Sequence, residues 1–180
     1  MITDIVVDEI RLNLGARTRS IPGFLSVDID EASGADVIAD ISDLSRYADC
    51  SVSEIYASHC LEHFPHVRTL SVLKEWVRVL KPGGILYVAV PDFARSIEIY
   101  LNIGRMNEWL VDYLWGGQEY PTAYHMAGFD FDRLSKLLHE AGFSEASRVD
   151  NFPVGDEHDC SRNVSTLDFK SVSLNVVAVK

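Results

Sequence analysis

LNLGARTRSIPGFLSVDIDEASGADVIAD, residues 12–40, decides the fold. It holds three short apolar runs, and each ends on a residue suited to holding a nucleoside: Gly15, Asp28 and Asp40. In a parallel sheet, ligands sit outside the carboxyl ends of the strands, where strand order reverses. A glycine there lets backbone approach a ligand closely. A carboxylate on the next strand tip can accept both hydroxyls of a ribose, and one a strand further out can accept the exocyclic amine of adenine. Gly, acid, acid on consecutive strand tips therefore reads as a nucleoside cradle. The plainer reading of Asp28 and Asp40 is that of turn residues ending strands.

Working outward, Ile10–Leu14 is the first strand, residues 24–27 the second and residues 37–39 the third. Thirteen residues separate Gly15 from Asp28 and twelve separate Asp28 from Asp40. A helical crossover with its loops usually needs more, and Pro22-Gly23 and Ser33-Gly34 add turn signals. The first two crossovers are expected to shrink to loops or single turns. Residues 41–53 read as irregular surface chain, and residues 54–57 as a fourth strand ending at Ser58-His59. Leu70, Leu73, Trp76, Val77 and Leu80 recur three or four apart, which predicts a helix from about Arg68 to Leu80. Lys81 suits its negative end, and Pro82-Gly83-Gly84 stops it. ILYVAV, residues 85–90, carries no charge and reads as a central parallel strand buried on both faces.

Two shorter amphipathic segments follow Pro91-Asp92, at about residues 93–101 and 106–114. A helix from Phe131 to Ala141 is capped by Asp130 and closed by Gly142. Residues 146–151 and 171–179 read as two final strands in antiparallel connection. Residues 1–9 are a short strand or tail.

The chain has 180 residues, 47% hydrophobic and 24% charged, which predicts one soluble globular domain over residues 1–180. No apolar run reaches a membrane span, and MITDIVVDEI lacks the basic-then-apolar order of a signal peptide. Cys50, Cys60 and Cys160 have no paired spacing, which points to a reduced, cytoplasmic setting and packing roles. A net charge of −11 repels phosphate backbones. A small molecule is the expected partner, with neither nucleic acid nor membrane. The aromatic residues between Tyr100 and Tyr124 read as core and dimer surface, or as a segment covering a substrate.

LNLG (12–15), GFLSVDID (23–30), ADVIAD (35–40), SEIYASHCLEHF (53–64), LKEWVRVLKPGGILYVAVPDF (73–93), AGF (141–143) and SLNVVAVK (173–180) together resemble a class I S-adenosylmethionine-dependent methyltransferase, nearest the small bacterial type 11-like group. The resemblance implies an α/β, Rossmann-like seven-stranded sheet in the order 3-2-1-4-5-7-6 with strand seven antiparallel. It implies S-adenosyl-L-methionine as cofactor. Gly15 and Ala16 would pass close to its methionine part, Asp28 would hold the ribose, and Ile29 would pack on adenine. Asp40 and the backbone of Ile41 would meet the adenine amine, and Ser58 and His59 would face the sulfonium and the substrate. The family's glycine-rich motif departs here, because Arg17 replaces its second glycine. That substitution is unfavourable if the position needs φ > 0.

Methyl transfer from a sulfonium is an in-line displacement in which alignment supplies much of the barrier lowering, and a base helps when the acceptor is a hydroxyl. His59 and His63 are the expected catalytic residues, against the plainer reading that both hold the turn after strand four. Asp92, Tyr124 and His125 are the expected substrate-binding residues, though Pro-Asp is also a routine helix start. His59, Glu62 and His63 spell the H-x-x-E-H of some zinc proteases. That motif needs a long helix, Pro65 opposes one, and no metal is expected. Glu157-His158-Asp159 reads as a solvated loop. The expected function is methyl transfer to a small-molecule or sugar-like acceptor. The alternative, favoured by Arg17, is a non-catalytic nucleoside-binding or scaffold protein. A nicotinamide-dependent oxidoreductase is opposed by the absence of G-x-G-x-x-G.

Overall fold

A computed structural model describes residues 9–155 and 172–180. The tail at residues 1–8, Glu157-His158-Asp159, Cys160 and Ser171 lie outside the described residues. Seven strands, β1 (Ile10–Leu14), β2 (Leu25–Asp28), β3 (Val37–Ile38), β4 (Val52–Ser58), β5 (Leu80–Pro91), β6 (Glu145–Arg148) and β7 (Ser173–Val179), form one sheet. Its order is β3-β2-β1-β4-β5-β7-β6. Strands β1 to β5 pair in parallel, and β7 runs antiparallel to both β5 and β6. The expected sheet is therefore the observed one.

The helices are α1 (Thr69–Val79), α2 (Phe93–Ile103), α3 (Glu108–Trp115) and α4 (Phe131–Ala141). Strand alternation divides the sheet into two faces. Leu12, Leu14, Ile55, Ala57, Leu86, Val88, Leu174 and Val176 point to the face that packs with Trp76 of α1 and Leu134 and Leu138 of α4. On the opposite face Tyr56, Tyr87 and Ala89 pack with Ile21, Phe24 and Phe152. There the cover is loop, not helix, and its aromatic rings meet edge to face at 5.7 Å.

The shortened crossovers follow the residue spacing. No helix joins β1 to β2, and a single 3-10 turn, Glu31–Ser33, joins β2 to β3. The link from β3 to β4 also lacks a helix, and α1 holds it in place. Arg78 donates to the carbonyls of Leu44 and Tyr47 and to Asp49 Oδ1, at 3.0, 3.0 and 2.6 Å. Glu75 Oε1 accepts from the Leu44 amide at 2.8 Å, and Trp76 Nε1 donates to the Ile41 carbonyl at 2.9 Å.

Two boundaries differ from expectation. Helix α1 ends at Val79 because Leu80 turns extended (φ −64°, ψ 140°), so Lys81-Pro82-Gly83-Gly84 opens β5 instead of separating helix from strand. The cation serving the carbonyls at the end of α1 is Lys180, whose Nζ donates to Val77 and Leu80 oxygens at 2.6 and 2.7 Å. Only the pairing of β7 with β5 brings that residue there, which spacing along the chain does not reveal. Strand β6 is shorter than expected and stops at Arg148.

Candidate functional site

Gly15 follows β1 with φ +67°, and its amide donates to the Val27 carbonyl at 2.9 Å. An alanine Cβ there would lie 2.6 Å from Cys60 Cβ, so the loop after β1 and the turn after β4 touch at a glycine. Arg17 has φ +49°, the left-handed conformation in which a non-glycine residue is strained by about 1–2 kcal/mol. Two contacts hold it there. Its amide donates to Asp28 Oδ2 at 2.6 Å, and its guanidinium stands 5.5 Å from the centroid of the Tyr120 ring.

Asp28, at the tip of β2, is buried. Its Oδ2 accepts from Arg17 and its Oδ1 from the Asp30 amide at 2.9 Å. An ionised carboxylate accepts about four hydrogen bonds, so each oxygen keeps a site for a ribose hydroxyl. Ile29 beside it is 55% exposed, an apolar surface open to an adenine ring. The Ala39 amide donates to the Asp28 carbonyl at 2.8 Å, which puts Asp28 and Asp40 on neighbouring strand ends. Asp40 is exposed and accepts from the Ser42 amide at 2.8 Å. Ile41 is buried, and its carbonyl is taken by Trp76. Ala16 and Ser58 are buried and, with Asn13, Gly15, Arg19, Ile21 and Tyr56, line a gap of about 10 Å³, room for one water. The free acceptor positions of Asp28 and the exposed Ile29 thus fit the nucleoside end of S-adenosylmethionine, whereas the lining of the methionine end leaves only that small gap.

On the other side of the β4 tip, one 3-10 turn, Leu61–His63, replaces the long helix a zinc-protease motif needs. His59 has φ +53°. Its Nε2 shares a 2.8 Å hydrogen bond with Ser173 Oγ, and its Nδ1 lies 3.2 Å from Glu62 Oε1. His63 Nδ1 donates to the Tyr124 carbonyl at 3.0 Å and His125 Nδ1 to the Tyr113 carbonyl at 3.1 Å. The two imidazole rings meet edge to face at 4.9 Å. Glu62, fully buried, sits between the histidines, with Oε1 4.0 Å from His125 Nε2. Burial alone pushes its carboxyl pKa up, but the His59 contact and the positive potential of His59, His63 and His125 outweigh that and hold it below the usual range. For His125, burial lowers the pKa, and Glu62 only partly opposes this.

His125 also lines a cavity of about 270 Å³ at the end of β5, with Phe93, Trp115 and Met126 among its walls. Tyr124 is 43% exposed next to it in sequence. Asp92 faces elsewhere. It is 2% exposed, caps α2 by accepting from the Ala94 and Arg95 amides at 3.1 and 3.3 Å, and pairs with Arg148 at 2.6 Å. Its carboxylate is committed to the framework, the routine helix start that Pro-Asp also allowed. Asp92→Ala is expected to lower stability by about 2–3 kcal/mol, through a lost cap and a lost charged hydrogen bond, as read by urea denaturation.

Sequence reasoning missed Glu62 as the centre of the histidine cluster, and missed the cavity walls. The H-x-x-E-H spelling was the available signal for Glu62, but His125 reaches it from some sixty residues away. The aromatic segment divides. Trp109 and Tyr113 stack at 5.0 Å, and the Tyr113 hydroxyl bonds the Val172 carbonyl and the Asp92 amide, so these two are framework. Trp115, Tyr120 and Tyr124 remain 41–48% exposed.

Residues 21–88 match the family model described as a methyltransferase domain. No curated protein is significantly similar in sequence. Among solved structures, an S-adenosylmethionine-dependent methyltransferase from Archaeoglobus fulgidus superposes with a TM-score of 0.62 at 15% identity, over 96% of this chain and 86% of that one. A structure of the Haloferax volcanii Trm112 methyltransferase activator with its methyltransferase scores 0.60 at 16% identity, over 96% and 82%. Burkholderia thailandensis 1,6-didemethyltoxoflavin-N1-methyltransferase, with 1,6-didemethyltoxoflavin and S-adenosylhomocysteine bound, scores 0.58 at 15% identity, over 95% and 70%. The sheet order and these superpositions show the class I S-adenosylmethionine-dependent methyltransferase fold. Gly15, Asp28 and Asp40 stand on three successive strand ends of that fold.

Proposed function

We propose that this chain, as one cytoplasmic domain, transfers a methyl group from S-adenosylmethionine to a small, sugar-like acceptor. The observation that supports this most is the buried Asp28 carboxylate, which ties together the loops after β1 and β2 and keeps a free acceptor site on each oxygen. The cofactor supplies an electrophilic methyl group. Gly15 and Ala16 bend the chain beneath its methionine part, Asp28 binds the ribose and Ile29 covers the adenine. Asp40 approaches the adenine edge with Ile41 supporting its turn, and Ser58 flanks the methionine end. An acceptor in the cavity beside His125 lies under Phe93, Trp115 and Met126, and Tyr124, next to His125 in sequence and 43% exposed, is the further substrate-binding candidate. Apolar and aromatic walls suit a ring face.

Transfer to a hydroxyl releases a proton. His59 Nε2 is bonded to Ser173 and its Nδ1 faces Glu62 at 3.2 Å, which supports a positioning role. The Nε2 atoms of His63 and His125 are the ones whose partner nitrogens already donate to carbonyls, so they are the groups suited to receive it. A net charge of −11 favours such an acceptor over a polyanion. Among the described residues no helix is long and apolar enough to cross a membrane.

The test is calorimetric titration with S-adenosylmethionine. Binding is expected, and Asp28→Asn is expected to weaken it about 10–100-fold, the loss of charged hydrogen bonds worth about 1.5–3 kcal/mol. Wild-type chain that shows no binding at millimolar cofactor would overturn the proposal. That result would favour the scaffold reading, which the strained Arg17 supports.

A further inference from the structure

We propose that Glu62, His63 and His125 form a binding site for one divalent first-row transition ion, of the zinc, cobalt or iron(II) kind. Three observations carry this. First, Glu62 is fully buried, and neither carboxylate oxygen has a hydrogen-bond donor among the described residues; the His59 approach at 3.2 Å lacks the alignment of one. A buried carboxylate without donors is costly unless a charge is supplied to it.

Second, His63 and His125 each donate Nδ1–H to a backbone carbonyl, Tyr124 and Tyr113 respectively. In the neutral ring that bond fixes the tautomer and leaves a lone pair on each Nε2. It is the arrangement usual for metal-bound histidine, in which the second nitrogen donates to a carbonyl and orients the ring. Third, one ligand atom from each of the three residues lies within 4.8 Å of the others. Ligand atoms about 2.0–2.2 Å from an ion stand about 3–3.5 Å apart, so closure needs a contraction of about 1 Å.

The donor set selects the ion. Two imidazoles and one carboxylate suit zinc, iron or cobalt, whereas magnesium and calcium prefer all-oxygen sites. Three protein ligands leave coordination positions open, as in sites that also take water or substrate. The residues differ from those the H-x-x-E-H spelling would recruit. His59 stays in the framework with Ser173, and His125 takes its place through the chain segment after α3. That segment is docked by backbone bonds from Met126 and Ala127 to the Glu62 carbonyl at 2.7 and 3.1 Å.

Ion binding does not depend on methyl transfer. If the methyltransferase reading holds, an ion here stands at the edge of the acceptor cavity that His125 lines. With an ion bound, the two Nε2 atoms no longer take a proton. A hydroxyl bound to the ion would instead be acidified and would release its proton to solvent.

The test uses the full-length chain, stripped with chelator and then titrated with Zn²⁺ by calorimetry, with bound metal counted by mass spectrometry after desalting. One equivalent is expected, binding at about micromolar Kd or tighter and unaffected by excess Mg²⁺. His63→Ala and His125→Ala are each expected to weaken binding about 100-fold, while His66→Ala, an exposed neighbour, leaves it unchanged. Circular dichroism checks that the variants fold. Should His125→Ala not fold, the partly exposed His63 still decides, together with the ligand-field spectrum of the Co²⁺ form, which reads nitrogen ligation in the wild type. Binding no tighter than about 100 μM, or binding indifferent to His63→Ala, overturns the site. S-adenosylmethionine titration of the zinc-free chain reads the methyltransferase proposal separately, so either can fail alone.

Discussion

Gly15→Ala is expected to destabilise the chain by about 3 kcal/mol and to weaken S-adenosylmethionine binding by an order of magnitude or more. Two separable costs add. A residue with a Cβ at φ +67° is strained by about 1–2 kcal/mol. The new Cβ would also stand 2.6 Å from Cys60 Cβ, closer than such atoms approach, so the turn after β4 must shift. Overpacking of that kind typically costs about 1–3 kcal/mol. Because the clash is with a Cβ, Cys60→Ala cannot relieve it, whereas Cys60→Gly can. A double-mutant cycle measured by urea denaturation should therefore show positive coupling of Gly15→Ala with Cys60→Gly and none with Cys60→Ala. Equal behaviour of the two partners would mean that the glycine is needed for backbone conformation alone.

Trp76→Ala is expected to cost about 3–5 kcal/mol, the range for truncating a fully buried tryptophan. At this chain length that lowers Tm by roughly 10 °C or more. The effect should also travel to the proposed cradle. Trp76 Nε1 holds the Ile41 carbonyl, and Ile41 follows the third cradle residue. Hydrogen exchange should speed at residues 40–44 in Trp76→Phe, which keeps most of the packing and removes only the donor. Unchanged exchange there would show that Arg78 and Glu75 suffice to anchor the loop.

These two sites show what kind of information the chain carries along its length. The strand tips at Gly15, Asp28 and Asp40 were legible because each closes a short apolar run, and close spacing left no room for helices between them. The apolar stripe of α1 was legible because its period is local. The stop of α1 was legible to within a residue, but β5 begins at Leu80, ahead of the apolar run at residues 85–90. Pro82-Gly83-Gly84 looks like a terminator, but the Leu80 backbone turns first, and pairing with the last strand draws the glycines into β5.

Most of the strands and helices, and the shortened crossovers, were thus determined by the sequence alone, because apolar periodicity, glycine placement and residue spacing are properties of neighbouring residues; the strand order came from the resemblance. The tertiary structure decided what the polar side chains do. It committed Asp92 to a helix cap and Arg148, and gave the end of α1 to Lys180. It brought His125 to Glu62 and His63. The role of a buried charge is set by which partners reach it across space, and those partners lie tens of residues away in the chain, where local pattern carries no trace of them.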